Sequence, residues 1–140
     1  MSAERWLVIL LRFNAIMLFF AAFSVVMPFR WMSEAHSWLG MGTLLEMPVI
    51  AYLIRTISCL YFIIGVLTWL FANEVHRYRP LIFLSGWSHM GFGVAVLFID
   101  IGVHMPWWWI AMEGPSVFST GLLMLLLLRK IPSESRTHVG

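Results

Sequence analysis

The candidate site in this sequence is six side chains of types that hold a metal, a lipid or a quinone head group: His36, Glu46, Arg55, Asp100, His104 and Glu113. Carboxylate and imidazole together are ordinary metal ligands. Asp100 and His104 stand four residues apart, so a helix continued that far puts them on one face. Glu113, Glu46 and His36 complete the candidate set. Against a metal, no His-x-x-x-His or Glu-x-x-His pattern is present, and Gly102 favours fraying of the helix between Asp100 and His104. Interfacial hydrogen bonding is the expectation for these groups, with no metal and no cofactor.

Two of them lie at matching depth in apolar stretches. Counted along their helices, Arg55 falls roughly 3–10 Å below one membrane surface and Glu113 about 6 Å below the same surface. An ionised group facing lipid costs several kcal/mol, so such groups turn inward and pair. An Arg55–Glu113 ion pair is therefore predicted, with Asp100 or Glu46 as the competing acid. Structurally, such a pair fixes the register of two helices. Functionally, it makes a charged floor under an outward-facing pocket.

Three more polar residues fall inside apolar runs: His89, Arg12 and Asn14. His89 sits near a bilayer midplane, about 13 Å from Pro80. Ser85, Gly86 and Gly93 share its face, and small residues let helices approach closely. His89 is thus expected to point into the bundle and hydrogen-bond to a neighbouring helix. A bis-histidine haem needs a second intramembrane histidine, which is absent; Met17 or Met124 is the only kind of substitute, and methionine is ordinary core filler. Asn14 is suited to a hydrogen bond across helices. Arg12 can snorkel to the membrane surface, with Glu74 or Glu4 as its expected partner.

The elements that position these residues follow from composition. The chain has 140 residues, 61% apolar and 11% charged. A soluble domain is about 45–50% apolar and about 25% charged. Lipid is the natural solvent for such a chain. Four stretches are long enough to span: residues 6–27, 48–72, 80–99 and 109–128. Pro48 and Pro80 suit first-turn positions, and Pro115 either kinks the last helix or marks its start. The first stretch is long for a signal peptide and is interrupted by Arg12, so it is expected to be retained. Cys59 is the single cysteine, which excludes an internal disulfide and a Cys-x-x-Cys pair. A net charge of +2 gives no nucleic-acid footprint. No hydrolase elbow, phosphate loop or nucleophile–base pair is present.

Arg5, Arg77, Arg79, Arg129, Lys130 and Arg136 fall on one side of a four-span chain. Arg30 alone falls in the loops of the other side, with Glu34, Glu46, Asp100 and Glu113. The positive-inside rule then places both termini in the cytoplasm. The loop from Pro28 to Met47 suggests a short interfacial helix, with Ser33 as a cap and Gly40 or Gly42 as its end. Trp107, Trp108 and Trp109 make a second interfacial anchor. Residues 1–130 form the expected domain, and residues 131–140 an expected disordered cytoplasmic tail.

The run Pro28-Phe-Arg-Trp31, His36-Ser-Trp-Leu-Gly40, Pro48 with Tyr52-Leu-Ile-Arg55, Val75-His-Arg-Tyr78, Ile99-Asp100, Met105-Pro106 and Glu113-Gly-Pro115 resembles a group of small, uncharacterised four-helix bacterial membrane proteins. In plan it is also similar to the DoxX-like superfamily. The resemblance implies one compact bacterial four-helix domain. Quinone-linked oxidation, with which some DoxX-like proteins are associated, attaches to no named residue here.

The sequence thus predicts an all-α, up-down-up-down membrane bundle in a bacterial inner membrane. Its expected role is a non-catalytic subunit or scaffold, with the bilayer, other membrane subunits or a second copy as partners. The rival is a protein with an outward-facing pocket near Arg55 and Glu113 for a lipid, quinone or metal. A third reading, an oligomeric transporter, lacks a helix clearly broken at the midplane.

Overall fold

The computed structural model describes residues 2–132. Its elements are α1 (Ala3–Phe20), α2 (Ala22–Val26), α3 (Phe29–Trp38), α4 (Pro48–Asn73), α5 (Arg79–Gly102) and α6 (Trp107–Arg129). The fold is an all-α bundle. α1 and α2 form one span of 24 residues, tightened at Ala21, and with α4, α5 and α6 they make four helices long and apolar enough to cross a membrane. The chain is a membrane protein by this measure.

Local chemistry explains most boundaries. The Ser2 hydroxyl accepts a hydrogen bond from the Arg5 amide and starts α1 three residues before Trp6. Pro48 and Pro80 occupy first-turn positions in α4 and α5, as their missing N–H allows. The predicted short helix exists as α3, but Ser33 lies inside it and caps nothing. Pro28 starts it instead, its carbonyl accepting from the Trp31 and Met32 amides. Gly40 and Gly42 follow with φ of 75° and 85°, the left-handed region that glycine enters without penalty. α6 runs through Pro115, which neither begins nor ends it.

α1 lies along α4, α2 continues along α4, α5 lies along α6, and α1 also meets α6. Leu7 and Leu11 of α1 are fully buried one turn apart. They enter a core with Phe71, Ala72, Val75, Ile82, Met124, Leu128 and Ile131. These residues come from the start of α1, the end of α4, the start of α5 and the end of α6. The spans therefore alternate in direction, and the core sits at the end where Arg5, Arg77, Arg79, Arg129 and Lys130 collect. We call this the basic end, and the other the acidic end.

Ile131 belongs to that core, which corrects the expected tail boundary. The Arg79 guanidinium donates to the carbonyls of Leu128 (3.0 Å) and Ile131 (2.8 Å). The last carbonyls of a helix lack intrahelical partners, and a cation beside them is favoured. Ordered chain thus extends past Lys130; residues 133–140 of the expected tail lie outside the described residues.

α5 and α6 approach through four glycines. Gly86 faces Gly121 and Gly93 faces Gly114 across the antiparallel pair. A Cβ on Gly93 would stand 2.6 Å from the Phe118 amide nitrogen, and one on Gly114 would stand 2.8 Å from the Gly93 carbonyl oxygen. Backbone meets backbone here, as at small-residue interfaces in membranes.

Candidate functional site

The six candidate residues do not converge. Among the described residues the ion pairs are Arg30–Glu34 (2.8 Å) and Glu74–Arg77 (3.2 Å), and His76 Nε2 lies 3.4 Å from a Glu4 carboxylate oxygen. The predicted Arg55–Glu113 pair does not form. α4 buries Ser58, Gly65, Thr68 and Ala72 along one stripe. Arg55 lies on the flank of that stripe and is exposed. Equal depth did not bring equal azimuth.

Glu113 is half-buried and turns along its own helix, where the Trp109 indole N–H donates to Oε2. Helical Cα–Cβ bonds tilt toward the N-terminus. In antiparallel α5 and α6 the side chains of Asp100 and Glu113 therefore lean toward each other. Asp100 is 5% exposed, and its Oδ2 has no hydrogen-bond partner among the described residues.

The other candidates are held by local structure. α5 ends at Gly102, and His104 follows in a left-handed conformation with φ of 59°. Asp100 and His104 thus share no helical face. Among the described residues no group of three His, Cys, Asp or Glu side chains is placed to hold a metal. His36 Nδ1 lies 2.9 Å from the Gly42 carbonyl oxygen, and the Ser37 hydroxyl donates to the same oxygen at 3.1 Å. A carbonyl only accepts, so this nitrogen carries the proton. The two side chains clamp the turn after α3. Glu46 is exposed and lines a surface hollow of about 650 Å³ with Arg30, Ser33, Glu34 and Thr43. Neither Arg55 nor Glu113 borders that hollow.

The intramembrane polar residues form one cross-helix bond. His89 Nδ1 lies 2.8 Å from the Ser85 carbonyl oxygen, so it donates there. That leaves Nε2 as acceptor for Asn14 Nδ2 at 3.3 Å. α1 and α5 are thereby joined near the middle of the bundle, as the inward histidine required. Arg12 finds neither predicted acid. Glu4 pairs with His76 and Glu74 with Arg77, and the Arg12 guanidinium stands over the Trp69 ring, 5.5 Å from its centroid.

Three contributors escaped the sequence reading. Gly114 and Gly121 repeat the seven-residue spacing of Gly86 and Gly93, a signal that was there to find. Arg79 resembles any basic loop residue until its carbonyl partners are seen. No family model, curated protein or solved structure matches the chain.

Proposed function

We propose that this protein is a non-catalytic membrane subunit or scaffold that assembles beside another membrane-embedded chain. One observation carries the reading: Arg55 and Glu113 share a depth but point apart, Glu113 inward to Trp109 and Arg55 outward from α4. Catalysis and small-ligand binding need converging groups. An outward guanidinium near the membrane surface instead suits an acidic or polar group on a neighbouring span. The basic end supports a cytoplasmic placement of both termini in a bacterial inner membrane. The kinship to small DoxX-like proteins belongs to the same reading and rests on the residue pattern quoted above.

Purification of the full chain in mild detergent tests this. Co-purification with a second chain, or a discrete oligomer cross-linked through position 55, is the expected result. A monomer carrying a stoichiometric quinone or metal would replace the scaffold reading with the pocket reading.

A further inference from the structure

At the basic end, one face of α1 carries two guanidinium groups seven residues apart. Arg5, Val8, Ile9 and Arg12 follow one another at helical spacing along it. Beside this face lies a hollow of about 420 Å³ lined by Ser2, Glu4, Arg5, Val8 and Ile9. Arg12 lies one turn deeper on the same face of α1, outside that hollow and beside Trp69 of α4. It is exposed, and among the described residues it has no carboxylate partner. Its neighbour is Trp69, over whose ring the guanidinium stands in cation–π contact. Glu4, the one acid in the hollow, is turned to His76 at 3.4 Å.

The chemistry that fits is anionic oxygen at the level of the head groups with acyl chain below. Side chains on α1 lean toward its N-terminus, so Arg5 and Arg12 both reach up toward the membrane surface. Val8 and Ile9 give the wall between them an apolar character. A guanidinium matches phosphate oxygens in its fork geometry. Basic pockets at membrane-facing helix surfaces are a known setting for anionic lipid head groups.

We propose that this face of α1 at the basic end, flanked by Trp69 of α4, is a binding site for an anionic phospholipid. Arg12, standing beside Trp69, meets its phosphate, and Arg5, nearer the membrane surface, adds positive charge to the head-group region. This site is independent of any protein partner.

The test uses the full chain in phosphatidylcholine vesicles, with spin-labelled phosphatidylglycerol or spin-labelled phosphatidylcholine as probe. Native protein should hold the phosphatidylglycerol probe in preference to the phosphatidylcholine probe. Arg12→Gln should lower that preference about fivefold, the share of one basic residue beside an anionic head group. Arg12→Lys should retain most of it, which separates loss of charge from loss of fold. Arg55→Gln, at the other end of the bundle, should leave it unchanged. Equal binding of the two probes by native protein would overturn the proposal. So would an unchanged preference in Arg12→Gln, or an equal loss in Arg55→Gln. Displacement of the phosphatidylglycerol probe by millimolar inorganic phosphate would reassign the site to free phosphate and also overturn it.

Discussion

The two ends of this bundle are built differently. At the basic end all four spans meet in one apolar core from Leu7 to Ile131, and Arg79 ties the start of α5 to the end of α6. At the acidic end burial stays within helix pairs. Ser58 and Gly65 are buried on α4, where Gly65 meets Leu18 and Phe19 of α1; Gly93, Val96, Asp100 and Gly114 are buried where α5 meets α6. Asp100 keeps an unpartnered carboxylate oxygen there, and Arg55 stands outside. The difference teaches that this chain spends its cross-bundle packing on one end, and at the other satisfies its polar groups only locally, leaving Arg55 and one Asp100 oxygen without a partner among the described residues.

Breaking the backbone contact of α5 and α6 should have the largest effect. Gly121→Val drives a side chain into the Gly86 carbonyl and the His89 Cβ. Overpacking usually costs about 1–3 kcal/mol and sometimes more, and rigid backbone on the receiving side puts this change at the upper limit. Gly91→Val, on the partner helix α5 with nothing within 4 Å of an added Cβ, should be nearly silent. Equal melting of the two variants in detergent would show that α5 and α6 are not in backbone contact. Next comes Arg79→Leu, which strands the Leu128 and Ile131 carbonyls. Hydrogen bonds from a charged donor contribute about 1.5–3 kcal/mol, so the variant should unfold earlier and expose residues near 131 to proteolysis first. If proteolysis begins instead at the loop 103–106, the basic end is not the better-knit one.

Asn14 and His89 join the two helix pairs between these ends, and their contribution should be smaller. A double-mutant cycle of Asn14→Leu and His89→Leu should give a coupling of about 0.6 kcal/mol and no more than about 1.7 kcal/mol. Zero coupling would mean the bond is absent in the membrane. This pair also marks how far the sequence could be read. Span positions were legible because about 20 apolar residues are a physical requirement of the bilayer. The first-turn prolines and the inward direction of His89 were legible because they depend on one helix alone. The partner of His89 was not, because choosing Asn14 needs the rotation of α1 about its axis. The same gap misdirected Arg12 toward Glu4 and Glu74.

Arg55 gives the smallest effect and the sharpest contrast. Depth alone pairs it with Glu113, and truncating one member of a buried pair typically costs about 3–5 kcal/mol. The structure places it on the exposed flank of α4, with Glu113 served by Trp109. Arg55→Leu should therefore change the melting of the isolated protein by no more than about 0.5 kcal/mol, as exposed substitutions do. Its consequence should emerge only where a neighbour is present, as weaker retention of a co-purifying chain. A loss of several kcal/mol in the isolated protein would restore the ion pair and close the acidic end. A silent monomer with weakened assembly would instead make the unmatched charge the feature by which that end is completed from outside.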